Sequence, residues 1–184
     1  IRNFPNASVS LKDITVVGRG DFASDTLLVS KDLSLVVNLK SLFGDKGYEI
    51  KKFLLSDTRI LAHELKDGRV NWDILPADTA TNDTASSNLK LKLQDIRLQR
   101  TNITYLSDTA AIAARIVNLN LDLAGDFTAD KTLLKTWLAV DSLSFWAEGI
   151  QYAHDLSMGF KAEIDADLKN SKFTLANNEM KINA

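Results

Sequence analysis

The sequence predicts a mainly β fold, an elongated, curved antiparallel sheet of long strands with one or two short helices. The first observation is an alternation of apolar and polar residues that is unbroken from Leu156 to Leu168. A period of two places the apolar side chains of a strand on one face, whereas the period of a helix scatters them. The second is that 184 residues contain only two prolines and eight glycines. Asp, Asn, Ser and Thr must therefore form most turns, and the Ser-Asp-Thr triplets beginning at Ser24, Ser56 and Ser107 are predicted to be turns.

Composition along the chain predicts two β modules. Residues 1–76 form the first, in which an early strand is expected from Phe4 to Ile14. Residues 77–88 have no apolar period and consist of Ala, Asp, Asn, Ser and Thr, which indicates a flexible linker. Residues 89–184 are expected to form a second module that continues the sheet.

Two segments are candidates for short helices. Lys40–Phe43 is predicted to form a single turn that ends at Gly44. Ala129–Trp137 has a possible capping residue in Asp130 and apolar residues at helical spacing. The same residues are equally consistent with a turn that leads into a strand.

The alternation changes phase at two places in the second module. The apolar series that includes Leu93 resumes out of phase at Ile96, and the series that includes Ile116 resumes out of phase at Leu119. Such shifts are typical of β-bulges, which bend or twist a long strand.

Three segments resemble one another loosely, at a spacing of roughly 45 residues. They begin at Ile50, Leu91 and Leu138. Each is predicted to contain a strand, a polar kink and a further strand, as expected for a β unit that stacks on its neighbour.

Few residues are suited to catalysis or metal binding. The net charge of −2 argues against a nucleic-acid partner, and the absence of cysteine excludes disulfides and thiolate metal sites. His63 and His154 lack a second histidine at metal-binding spacing. Asp165 and Asp167 are explained by the solvent-facing side of an alternating strand. The sequence therefore predicts a protein that is not an enzyme and has no cofactor or metal. A hydrolase or sugar-binding module, with Trp72, Trp137 and Trp146 as a platform, remains a third hypothesis.

A sheet with one apolar face must cover that face with something. Because few helices are predicted, the cover is either a second sheet or an extended apolar ligand such as lipid. The candidate lipid-facing residues are Leu91, Leu93, Ile103, Tyr105, Ile116, Leu119, Leu121, Leu123, Met158, Phe160 and Ile164.

Residues 36–75 contain a specific pattern. A strand leads into the apolar turn Leu42-Phe43-Gly44, and a strand pair then closes with Asp67-Gly68-Arg69-Val70-Asn71-Trp72-Asp73. This arrangement resembles the AsmA family, and the resemblance covers most of residues 4–125. Asp67 and Gly68 suit a tight hairpin turn, and the motif residues through Asp73 are expected to be structural, with Asn71 bonding the backbone and Trp72 packing.

The resemblance implies a fragment of the periplasmic region of an outer-membrane biogenesis protein, anchored in the inner membrane of a Gram-negative bacterium. It also implies a sheet whose apolar face carries acyl chains of phospholipid or lipopolysaccharide toward the outer membrane. No apolar run here is long enough to span a bilayer, so membrane association is expected through a segment absent from this sequence. The alternative is a structural scaffold that binds envelope proteins through its sheet edges.

Overall fold

A computed structural model describes residues 6–43, 49–73, 94–127 and 129–183. It confirms the mainly β fold class. Two short 3₁₀ helices cover Gly20–Phe22 and Leu39–Phe43. The eight strands are β1 (Asn6–Val17), β2 (Thr26–Asn38), β3 (Ile50–Glu64), β4 (Asp95–Ser107), β5 (Ile112–Ala124), β6 (Lys131–Ala147), β7 (Ile150–Asp167) and β8 (Lys172–Ile182).

All eight strands belong to one sheet in which they lie in chain order. Strands β1 and β8 form its two edges, so the sheet is open. Every neighbouring pair is antiparallel except β3 and β4, which are parallel, and the expectation of a wholly antiparallel sheet is wrong at this pair. A parallel pair requires a crossover of a dozen or more residues, and the segment from Glu64 to Asp95 is long enough to supply one.

The parallel pair joins residues of both predicted modules. Strand β3 belongs to residues 1–76 and β4 to residues 89–184, and their paired residues run from Lys52 and Asp95 to Glu64 and Ser107. The two segments therefore share one sheet. The predicted linker, 77–88, lies outside the described residues.

The two helix predictions have opposite outcomes. The turn at Lys40–Phe43 is confirmed within the second 3₁₀ helix. The helix predicted at Ala129–Trp137 is wrong, because residues 131–137 begin β6. The alternative prediction for this segment, a turn that leads into a strand, agrees with this strand. Pairing with β5 on one side and β7 on the other outweighs the weak helical propensity of this segment.

One face of the sheet is apolar from edge to edge. Because residues paired across a sheet share a face, two rows of Cα partners define this apolar face. The first row takes one residue from each strand: Leu11, Leu33, Leu55, Leu98, Leu121, Leu138, Phe160 and Met180. The second row consists of Val16, Leu28, Ile60, Ile103, Ile116, Leu143 and Leu156.

A line of residues with positive φ crosses the sheet, between the two rows in β1, β3, β4 and β5 and just beyond Leu156 in β7. This kink row consists of Asp13, Asp57, Arg100, Asn118, Asp155 and Asn183, with φ between 47° and 53°. In β5 the apolar residues are odd-numbered on one side of Asn118 and even-numbered on the other. A residue in the left-handed region lets the strand change phase there while its apolar residues stay on one face.

The kink row accounts for several predictions. The bulge expected between Ile116 and Leu119 is confirmed at Asn118, while the other expected shift involves Leu93, which is outside the described residues. Two of the three predicted polar kinks lie at Asp57 in β3 and at Arg100 in β4, and in the third segment, within β6, the register shifts between Val140 and Leu143. The triplets beginning at Ser24 and Ser107 lie at turns, but the one beginning at Ser56 is within β3. Its Asp supplies the left-handed residue of a kink instead of a chain reversal.

A pair of substitutions at Asn118 tests whether the kink requires positive φ. Both Asn118→Val and Asn118→Gly remove the hydrogen bond from Asn118 Nδ2 to Asp141 Oδ2. Only valine is strained at a φ of 53°, so we expect Asn118→Val to be about 1 kcal/mol or more less stable than Asn118→Gly. Urea denaturation of the two variants measures the difference, and equal stabilities would contradict the assigned conformation.

Candidate functional site

The apolar face crosses all eight described strands. At its centre, side chains pack against those of neighbouring strands, so that Leu55, Leu119 and Val140 are only 5–6% exposed. Its rim is open, with Leu11 and Met180 half-exposed or more. The strands make extensive contacts only with their neighbours in the sheet. Within the described ranges, neither a second sheet nor an α-helix lies over this face.

The register places nine of the predicted lipid-facing residues on the apolar face. Leu121 and Phe160 belong to the first row, and Ile103 and Ile116 to the second. The other five flank these rows: Tyr105, Leu119, Leu123, Met158 and Ile164. Leu91 and Leu93 lie outside the described residues.

The sequence prediction missed the part of the face that comes from the N-terminal strands and from the edge strand β8. Leu33 of β2 pairs with Leu11 and Leu55, yet it was not a candidate. The alternation in β2 is masked because Val36 follows Leu35 directly and Val37 follows Val36. On β8, the apolar residues of the face are Phe173, Leu175, Met180 and Ile182.

Three polar side chains lie between the two rows and are fully buried. They are Ser30, Thr58 and Thr101. The Ser30 and Thr58 hydroxyl oxygens are 2.8 Å apart, and Ser30 Oγ also donates to the Ser56 carbonyl oxygen at 3.1 Å. All three side chains are 0% exposed, so they add no polar surface to the face, although the Thr101 hydroxyl has no hydrogen-bond partner among the described residues.

The face opposite the first row carries charged side chains. Arg97 Nε lies 3.1 Å from Asp95 Oδ1 and 3.4 Å from Asp122 Oδ1, and Lys135 Nζ lies 3.7 Å from Glu163 Oε1. Pairs exposed to this extent contribute little to stability, but they keep this face solvated. The sheet is therefore apolar on one face and carries charged pairs on the other, where Leu133 and Trp137 are also exposed.

The Asp67–Asp73 hairpin is fixed by one buried amide. Asn71 is 1% exposed; its Oδ1 accepts from the His63 backbone N–H at 3.0 Å and its Nδ2 donates to the Leu61 carbonyl oxygen at 2.8 Å. These are the backbone bonds predicted for Asn71. Gly68 has a φ of 82°, as a tight turn requires. Trp72, expected to pack, is 45% exposed, because the hairpin extends past the end of the strand pair.

The two histidines lie apart. His63 contacts the Phe22 ring edge-on at 5.9 Å and its Nδ1 is 3.3 Å from Asp25 Oδ2, whereas His154 is largely exposed. Among the described residues, no three His, Asp or Glu side chains are grouped so that they could hold a metal ion. In the same part of the chain, no helix is long and apolar enough to cross a membrane.

The pair formed by Arg100 and Asp57 links β3 to β4 and predicts a pH effect. Arg100 Nε and Nη2 donate to the two carboxylate oxygens at 2.7 and 3.0 Å, and this hydrogen bonding lowers the pKa of Asp57 below its ordinary value of 3.8. A folded-state pKa below that of the unfolded chain stabilises the fold above the unfolded pKa, and this stabilisation is lost as the pH falls through the folded pKa.

We therefore expect Arg100→Gln to raise the pKa of Asp57 toward 3.8 and to reduce the loss of stability in acid. The ¹³Cγ chemical shift of Asp57, followed by NMR against pH, measures this. Arg69→Gln is the control, because Arg69 pairs with Asp21 and Asp67 instead. An unchanged Asp57 titration in Arg100→Gln would contradict the assignment.

Comparison with known proteins gives no relative: no protein-family model, curated protein or solved structure matches this chain.

Proposed function

We propose that this chain is a non-enzymatic segment of an AsmA-like envelope protein, and that its apolar face holds lipid acyl chains for transport or outer-membrane assembly. The proposed ligands are the acyl chains of phospholipid or lipopolysaccharide, and the proposed location is the periplasm of a Gram-negative bacterium, within a protein anchored in the inner membrane. The AsmA resemblance of residues 4–125 supports the location. The apolar face supports the proposal that the ligand is an acyl chain.

One observation carries the proposal: the apolar face extends across all eight strands, and no described element covers it. Isolated apolar residues are common on protein surfaces, but large continuous apolar patches mark binding sites. Phe173, Leu175, Met180 and Ile182 continue the face to the β8 edge with more than half of their surface exposed. A partner that lies along the whole face must itself be long and apolar.

Acyl chains match the chemistry of this face. Each buried CH₂ group contributes about 0.8 kcal/mol, so a chain lying across several strands gains affinity without hydrogen bonds. The buried hydroxyls of Ser30 and Thr58 already bond within the sheet, so the ligand is not required to satisfy them. Binding of this kind needs no catalytic residue.

Native mass spectrometry of protein purified without detergent tests the proposal. We expect mass increments that match phospholipid, and displacement of a fluorescent fatty acid by added phospholipid in solution. Protein that carries no lipid and takes up neither probe would overturn the proposal.

The alternative function, a scaffold that binds envelope proteins through sheet edges, rests on strand β8. Every residue of β8 is exposed and no other strand that the structure describes pairs with its outer edge, which suits the addition of a further strand. Recovery of one defined protein partner by a pull-down, with no lipid uptake, would favour the scaffold. Loss of that partner on a Thr174→Pro substitution in β8 would place it at this edge.

A further inference from the structure

A depression beyond the kink row includes polar side chains of the face opposite the apolar face. It has a volume of about 580 Å³ and is lined by four polar residues, Arg59 of β3, Asn102 and Thr104 of β4 and Arg115 of β5, together with the apolar residues Ile60, Ile116 and Val117. Arg59 pairs with Asn102, and Thr104 pairs with Arg115. These residues alternate with the isoleucines of the second apolar row, which places their side chains on the other face.

Both arginines of this depression are exposed, and no carboxylate of the described residues forms an ion pair with either. Arg69, Arg97 and Arg100 each form an ion pair, but no ion pair of the described residues includes Arg59 or Arg115. Asp155 attracts Arg115 electrostatically. The Asp155 carboxylate, however, already accepts from Ser142 Oγ at 2.7 Å and from Ser144 Oγ at 3.2 Å.

The two side chains of β4 add hydrogen-bond donors to the same depression. Asn102 Oδ1 accepts from the Asn118 backbone N–H at 3.0 Å, and this bond fixes the amide and leaves its NH₂ group as a donor. Thr104 supplies a hydroxyl. With two guanidinium groups, an amide NH₂ and a hydroxyl, the lining favours a ligand that is an anion and accepts hydrogen bonds at several oxygens.

Three other depressions differ because carboxylates line them. The one beside Arg69 includes Asp21 and Asp73. The other two contain Asp165 with Asp167 and Glu179. Among the described residues, no carboxylate lines the depression at Arg59 and Arg115, so an anion can approach it without repulsion from these lining groups.

We propose that Arg59 and Arg115 bind a phosphate ester in this depression, with Asn102 and Thr104 donating to the same phosphate oxygens. Arginine binds phosphate in a bidentate manner through its planar group of donors. A volume of about 580 Å³ is in the range of small-molecule sites, so it accommodates a phosphate together with the organic group that it esterifies. The site does not depend on the proposed acyl-chain function, since the four polar side chains that form it lie on the other face.

NMR titration of ¹⁵N-labelled protein with inorganic phosphate and with glycerol 3-phosphate tests the proposal. We expect saturable shifts at the backbone amides of residues 59, 102, 104 and 115. Arg59→Gln and Arg115→Gln should each weaken binding at least about tenfold, whereas Arg97→Gln, whose guanidinium is paired with Asp95, should leave it unchanged. Both target arginines are exposed, and thermal unfolding checks that the variants remain folded.

Sedimentation with phosphatidylglycerol vesicles distinguishes the two sources of the phosphate. Vesicle binding that the Arg59→Gln/Arg115→Gln double variant loses assigns the site to a lipid headgroup. Saturable binding of the soluble phosphates alone assigns it to a free phosphate ester. Absence of saturable binding to every probe, or binding that the double variant retains in full, would overturn the proposal.

Discussion

Met158→Asp should weaken the binding of a fluorescent fatty acid at least about tenfold at pH 7. Met158 lies on the apolar face between Val140 of β6 and Ile182 of β8. A carboxylate at this position must lose water when an acyl chain covers it, and burying an unpaired charge costs several kcal/mol. A tenfold loss corresponds to about 1.4 kcal/mol, so it is a lower bound for a chain that crosses this part of the face.

Ser157→Asp is the matched control for Met158→Asp. Successive residues of a strand point to opposite faces, so this substitution places the same charge one residue away and on the polar side. The hydrogen bonds of Ser157 to Asn183 are made by its backbone, and the substitution keeps them. We expect affinity within about twofold of the unsubstituted protein. Equal affinities for both variants would show that the ligand is not on the apolar face.

Asn71→Ala should destabilise the protein by about 2–4 kcal/mol. The substitution leaves the His63 N–H without its Asn71 Oδ1 partner and the Leu61 carbonyl without its Nδ2 donor, in a position that is 1% exposed. Each unsatisfied buried backbone group costs about 1–3 kcal/mol. Urea denaturation measures the loss as a lower midpoint at constant slope.

The control for Asn71→Ala is the same substitution at an exposed turn. Asn170 also makes side-chain hydrogen bonds, to Asp167 at 3.0 and 3.1 Å, but water can replace them. We expect Asn170→Ala to cost less than about 1 kcal/mol. Equal losses for the two variants would mean that the Asn71 amide does not hold the hairpin to β3.

The structural features that were predicted correctly are those that depend on the local pattern of apolar and polar residues. The alternation from Leu156 onward gave the second half of β7, and the phase change after Ile116 gave the kink at Asn118. Asparagine adopts positive φ readily. In β4 the sequence predicted a polar kink but not that Arg100 is the residue with positive φ, because arginine has no such preference.

The pairing of strands that are distant in sequence could not be predicted. The parallel contact of β3 with β4 depends on which strand edge the returning chain meets, and no residue near Glu64 or Asp95 encodes that choice. The prediction that Trp72 packs is wrong for a related reason. Its size predicts burial, but burial depends on whether another layer covers the hairpin, and the residue is 45% exposed.

The candidate site was predictable where each strand has a clean period of two. Strands β5 and β7 gave Leu121 and Phe160, which pair through Leu138 in the first row. In β2, consecutive apolar residues do not show which of them point to the apolar face. Leu33 could therefore be assigned to a face only from its pairing partners. The depression at Arg59 and Arg115 combines three strands, and sequence spacing alone does not bring those residues together.

Paramagnetic NMR with a spin-labelled phospholipid tests the central claim, that acyl chains lie on the apolar face, most directly. A label on the acyl chain should broaden the methyl resonances of Ile103, Ile116 and Leu121. Leu133 provides an internal control, because it is 50% exposed but pairs with Asp165 on the opposite face. The proposed binding predicts strong broadening of the first three and little of Leu133. Broadening of Leu133 equal to or greater than that of Leu121 would contradict it.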